Sequence, residues 1–316
     1  MVRKLSKNLL GAGVVLGASV LFLSTALAGG GTITVAKVKK DPAGIDDAAW
    51  GKAKATTITM DGVGSFEGKK KDITVKGVYT KKGLITFLMS WDDPTKSMDG
   101  EAWVKDGDKW KQKEGGMDRV ALNFEVRRIK NFANKGCAVL CHSDSKNPKE
   151  WKYHTEKAPQ FGDLWVWESY RTDPMGHAGD YFVDDDSRKG DKGSGAAKLN
   201  INKFRNGPVY MQDPAKKPSM PGFLMDSEKA KIGDKQISET PAWMLTKFSG
   251  DFADIKAMAK HDGKKWTVML QRKLKTGSDT DVEFKVKKKY NLGIAVFDNS
   301  GMYNKFTSPP LKVAFK

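Results

Sequence analysis

The residues best suited to chemistry are the only two cysteines, Cys137 and Cys141, with a histidine, His142, directly after the second. They stand in the run Gly136-Cys137-Ala138-Val139-Leu140-Cys141-His142-Ser143. This is a one-residue expansion of the C-x-x-C-H pattern that attaches haem covalently. The chemistry wants this set, because two thiols reach the two vinyl groups of one porphyrin and the adjoining imidazole takes the iron as proximal ligand. On a helical turn, positions four apart share a face, which predicts both sulfurs at one porphyrin edge. A disulfide between the cysteines would leave His142 without a task, and a zinc site would lack a fourth ligand nearby. The expected cofactor is one covalent haem c, held by Cys137 and Cys141 with His142 proximal.

A haem whose iron is six-coordinate has no open position for substrate and serves electron transfer or sensing, so the second axial ligand matters. Three other histidines exist, His154, His177 and His261, beside 13 methionines, most of which read as core gap-fillers. Met175 and His177 fall together in the turn-like run Asp173-Pro174-Met175-Gly176-His177 and are both candidates, although a surface histidine is the default there. Asp184-Asp185-Asp186 reads as a solvated acidic turn more readily than as a catalytic metal site. The aromatics Trp103, Trp110 and Trp151 keep a different function class open, a carbohydrate or small-ligand binding module.

The chain starts with Arg3, Lys4 and Lys7, an apolar run over residues 9–23 and the triplet Ala26-Leu27-Ala28, the pattern of an export signal over residues 1–28. An uncleaved anchor is the alternative, and no later apolar stretch is long enough to span a bilayer. The expected location is a periplasmic or equivalent extracytoplasmic compartment. With 55 Lys+Arg against 38 Asp+Glu the formal charge is +17, but the lysines are interspersed with acidic and aromatic residues, which argues against nucleic acid. A solvated surface accounts for the charge most simply, and a steering field for an acidic protein partner is the alternative.

Those residues must be positioned by a β-rich frame. Period-two or apolar runs appear at residues 56–60, 72–80, 84–91, 118–126, 265–272 and 291–298, with Lys81-Lys82-Gly83 as a hairpin turn. Residues 164–170 read as a buried strand or a short helix, 252–260 as a helical turn and 281–286 as a short strand. Residues 184–235 turn to Gly, Lys, Asp and Pro and read as a long irregular insertion with no core of its own. Without a βαβ alternation or a repeat, the pattern predicts one mainly β domain over residues 29–316, an antiparallel sandwich with helical and irregular insertions enclosing one haem.

The order of five segments carries a resemblance: Ile45-Asp46-Asp47-Ala48-Ala49-Trp50, then Met89-Ser90-Trp91-Asp92-Asp93-Pro94-Thr95, then Asp118-Arg119-Val120-Ala121-Leu122-Asn123-Phe124, then Asp163-Leu164-Trp165-Val166-Trp167 with Arg171-Thr172, and Gly293-Ile294-Ala295-Val296-Phe297-Asp298. It resembles the haem-binding gamma subunit of ethylbenzene dehydrogenase and its relatives in dimethyl-sulfide dehydrogenase, selenate, chlorate and nitrate reductases and nitrite oxidoreductases. The resemblance covers most of the chain after the leader. It implies a sandwich holding one haem between its sheets and loops, without substrate chemistry of its own. Its implied partner is the iron-sulfur (beta) subunit of a molybdenum enzyme, with a soluble cytochrome as a further one. In family members with a non-covalent b-type haem, which remains the alternative cofactor, the ligands are a methionine before the Trp-x-Trp segment and a lysine after the Ala-Val-aromatic strand. Here the methionine's place holds Cys137 to His142. The lysine's place is best matched by Lys305 in Gly301-Met302-Tyr303-Asn304-Lys305-Phe306, with Lys312 its competitor. A lysine binds iron only when neutral, so burial and the metal must displace its proton.

Overall fold

A computed structural model describes residues 30–98, 100–142, 152–195, 197–216 and 222–316, with the backbone alone at Ala26, Leu27 and His142. The rest of the expected leader and Trp151 lie outside the described residues. The principal strands are β1 (Gly31–Val38), β2 (Thr56–Val63), β3 (Lys70–Thr80), β4 (Leu84–Asp92), β5 (Met117–Arg127), β6 (Phe161–Glu168), β7 (Gly179–Val183), β8 (Arg188–Gly190), β9 (Lys256–His261), β10 (Lys265–Lys273), β11 (Lys289–Ser300), β12 (Lys305–Thr307) and β13 (Leu311–Phe315). They join one sheet in the order β8-β7-β6-β5-β11-β12-β2-β3-β4-β10-β9. A second route connects its middle: β13 pairs antiparallel with β11 and parallel with β1, which pairs parallel with β3.

The two ends of this sheet fold face to face as a mainly β sandwich. Apolar side chains at alternate positions meet between them, because successive residues of a strand point to opposite faces. Trp165 of β6 stands 6.1 Å from Phe87 of β4, and Trp167 stands 6.1 Å from Trp91 and 4.9 Å from Trp266 of β10, ring centroid to ring centroid. Both indoles of β6 are fully buried, and truncating either to alanine costs about 3–5 kcal/mol. Strands β5 and β6 are buried almost without interruption, since their outer face is covered too. There Ala121, Leu164 and Val166 pack against Ile129, Phe132, Cys137 and Leu140. The loop that carries the cysteines is that cover.

Three expectations change and one open alternative is decided. Residues 252–260 do not form a helical turn: a single 3-10 turn, Asp251–Ala253, leads into β9, whose alternate residues are exposed against an antiparallel β10. Residues 281–286 are not a strand, although Val282 and Phe284 are buried. Of residues 164–170, read as strand or short helix, 164–168 are strand within β6 and Ser169 and Tyr170 form the turn after it. The stretch over 184–235 carries short paired strands such as Tyr210–Gln212 with Lys229–Lys231, and Phe223 joins Leu245, Phe248 and Phe252 in a small satellite core.

Candidate cofactor site

Gly136, at φ +63°, ends the short helix Phe132–Lys135 in a left-handed conformation that glycine adopts without steric cost. The chain then makes the 3-10 turn Gly136–Leu140 and the short strand Cys141–His142, where Cys141 pairs with Tyr153 and His142 with Lys152. The cysteines therefore do not share an α-helical face as the spacing predicts. They nevertheless line one cleft of about 530 Å³, open mouth included. Its floor is the outer face of the sheet, where Ala121 and Ala295 are cross-strand partners and Leu164 and Val166 flank them. Two methyl-sized side chains side by side leave room above the sheet for a flat ligand. The Cys137 loop sits hard against β11: a Cβ on Gly293 would fall 2.5 Å from Cys137 Cβ and 2.7 Å from its backbone nitrogen.

The thiols are free and not joined to each other. Burial pushes the Cys137 thiol up to about 12, the neighbouring Cys141 adds to this, and Lys305 opposes it. Tyr153, whose hydroxyl accepts a 3.1 Å hydrogen bond from Asn123 Nδ2, is raised by burial and then by Cys137 and Cys141. Lys305 is 7 % exposed and Nζ donates to the Met302 carbonyl oxygen at 3.2 Å. At the cleft's basic side, Arg119 Nε lies 3.2 Å from Glu168 Oε1, which Arg171 also contacts. Burial alone would raise Glu168, but Arg171 and Arg119 outweigh it and hold the carboxyl low. Burial lowers Arg119, with Glu168 opposing. Arg188 stacks its guanidinium 4.9 Å from the Tyr181 ring centroid. Arg119 and Arg188 both face the cleft, so two guanidiniums are offered to whatever carboxylates occupy it.

Of the residues singled out by sequence, Cys137, Cys141 and Lys305 come together, although 164 positions separate Lys305 from Cys141. The side chain of His142 lies outside the described residues. His177 is elsewhere, stacked on Phe248 at 5.0 Å with Nε2 accepting from Lys256 Nζ at 3.1 Å, and Met175 packs on the satellite core. Lys312 is exposed on β13. Arg119, Tyr153, Arg188 and Met302 also line the cleft and were not anticipated. Arg119 was visible only as an odd charge inside the apolar run 118–126, the one signal that could have found it. Asp184 and Asp186 both pair with Lys189 on a surface turn, as a solvated acidic turn would. Trp103, one of the aromatics that kept a carbohydrate-binding module open, is 4 % exposed with its indole nitrogen donating to the Asn200 carbonyl at 2.7 Å, so it offers no sugar-stacking face.

The model of the ethylbenzene dehydrogenase family matches residues 47–305, well over half of the chain. The chain belongs to that family. The match runs from the Asp47 turn to Lys305 and so takes in the whole cleft described above. No curated protein matches the chain. Among solved structures, a Bacteroides uniformis protein described as carbohydrate-binding is 7 % identical over 91 % of this chain and 100 % of its own, with a TM-score of 0.38, too low to bear on fold or ligand. Among the described residues no helix is long and apolar enough to cross a membrane.

Proposed function

We propose that this member of the ethylbenzene dehydrogenase family is an electron-transfer subunit of the gamma type, exported to the periplasm or an equivalent compartment and carrying one haem c. One observation supports it most: two free thiols and a buried lysine from distant segments meet in a single apolar cleft with two arginines. That donor set suits the group. Cys137 and Cys141 would each add S–H across a vinyl group, His142 would be the proximal ligand and Lys305 the distal one. When bound, the haem supplies one-electron chemistry, and the chain tunes it through ligand type and burial. Ala121 and Ala295 would leave space for the ring, Tyr153 and Phe297 would wall it, and Arg119 and Arg188 would meet its carboxylates. The natural partner is the iron-sulfur subunit of a molybdenum oxidoreductase of the nitrite oxidoreductase, nitrate reductase or ethylbenzene dehydrogenase kind, with a soluble cytochrome beyond it.

The test uses the full chain made with a cytochrome c maturation system. Peroxidase-active haem should stay with the denatured polypeptide in a gel and resist acid acetone, and mass spectrometry of copurified proteins should identify the iron-sulfur partner. A chain that acquires no haem, or loses it to acid acetone, overturns the covalent reading. Met302 lines the same cleft, so the distal assignment has a defined rival. A near-infrared sulfur-to-iron band in the ferric protein would assign Met302 in place of Lys305.

A further inference from the structure

We propose that Asp163, Asp180 and Asp281 hold one calcium ion inside the sandwich, with Asp191 as a supporting fourth carboxylate. Asp163 lies two residues before Trp165 on β6 and so shares the face turned to the core, away from the cysteine cleft. Asp180 comes from β7, Asp191 directly follows β8, and Asp281 comes from the loop between β10 and β11. All four are buried, and Arg272 of β10 is the cation that, among the described residues, pairs with three of them. Its Nη2 lies 2.8 Å from Asp163 Oδ2, and its Nη1 lies 3.2 Å from Asp180 Oδ2 and 3.3 Å from Asp281 Oδ1.

One guanidinium cannot balance this set. Asp163 Oδ1, Asp180 Oδ1, Asp281 Oδ2 and Asp191 Oδ1 are all buried without a hydrogen-bond partner, and one arginine faces more carboxyl groups than its single charge can balance. A buried charge without a partner is strongly destabilising, so further positive charge is required. Geometry favours a single ion. One carboxylate oxygen from each of Asp163, Asp180 and Asp281 lies within 4.8 Å of the other two, about twice a calcium–oxygen bond of ~2.4 Å. The donors are hard oxygens with no nitrogen or sulfur among them, which suits calcium over a transition metal, and an all-carboxylate cage suits it over magnesium, which keeps its waters. The other acidic trio, Asp93, Asp118 and Asp298, differs. There Lys71 Nζ donates to Asp298 at 3.0 Å and three donors engage Asp118, from Ser97, Trp266 and Asn299.

The ion would tie the 274–288 loop to the sheet, beside the Val282 N–H that already donates to Asp163 Oδ2 at 2.9 Å. Metal content of the full-length protein, purified by gel filtration in calcium-free buffer and measured by plasma mass spectrometry, tests this directly. About one calcium per chain is expected in the wild type and in the control Asp93→Asn, with at least an about tenfold drop in Asp281→Asn. Chelation should lower the melting temperature, and calcium chloride but not sodium chloride should restore it. A folded wild-type protein that retains no calcium, and binds none by calorimetry after chelation, overturns the proposal and leaves protons to neutralise the cluster. If Asp281→Asn does not fold, the wild-type content and calorimetry decide alone.

Discussion

Cys137 is placed where a thiol has little reactivity of its own. With its pKa pushed to about 12 by burial it stays protonated at neutral pH, and a protonated thiol is a poor nucleophile in disulfide exchange. That weakens a redox reading and leaves addition to a vinyl group as the chemistry to test. Changing either cysteine to alanine should leave one thioether, with haem retained on a denaturing gel and the haemochrome band shifted to the red, whereas the double variant should release its haem to acid acetone. Lys305→Ala should convert a low-spin ferric spectrum to a high-spin or water-ligated one, while His177→Ala and Met175→Ala leave it unchanged, because those side chains lie outside the cleft. A third site gives a pH dependence. Asp93 titrates at about 6 in the fold against an ordinary 3.8, first because it is buried and then because Asp118 and Asp298 repel its charge. A carboxyl raised by folding holds its proton more tightly in the native state, so its favourable contribution is complete below the unfolded pKa and is lost as pH climbs through the folded one. Asp93→Asn should change stability little near pH 4 and raise it above pH 7 by up to about 2–3 kcal/mol, read from urea midpoints at both pH values.

Among the elements, β11 does two jobs, pairing with β5 in the sheet and receiving the Cys137 loop at Gly293. Gly293→Ala should push that loop outward and lower haem loading severalfold while the sandwich still unfolds cooperatively, measured as the ratio of Soret to protein absorbance beside the far-ultraviolet melt. How much of this frame was legible depended on whether local pattern and tertiary environment agreed. The alternating and apolar runs at 72–80, 84–91, 265–272 and 291–298 appear as strands because sheet pairing and burial reinforce the same period. Residues 256–261 misled because Ala, Met and Lys are good helix formers, and only pairing with β10 makes them a strand. At the site, Cys137 and Cys141 announced themselves by type and spacing, and Lys305 by resemblance. Arg188 and Met302 gave no local sign, since a solvated arginine and a loop methionine look the same until the chain folds a wall around them.

At the scale of the molecule, the two ends of the sheet are joined through β12 and, separately, through β13 and β1, so the sandwich is held along two routes. The second route consists of the first and last principal strands, with Gly31 paired to Leu311 and Val35 to Phe315, and the Lys316 N–H donates to the Val35 carbonyl at 3.0 Å. Deleting residues 311–316 would leave β1 with one sheet neighbour and strip β11 of its partner over Lys289 to Leu292. Such a chain should lose cooperative unfolding and enter inclusion bodies, checked by solubility and by the sharpness of the melt, because two unprotected strand edges invite association. A truncated chain that stays soluble and melts sharply would show the first route to suffice. The seam also sets a clock. A ribosome reads β1 long before β13, so β1, which can pair early with β3, waits for its second parallel neighbour until everything between Val38 and Leu311 has been made. Until then that edge of β1 stays open, so the second route closes only once β13 has been made.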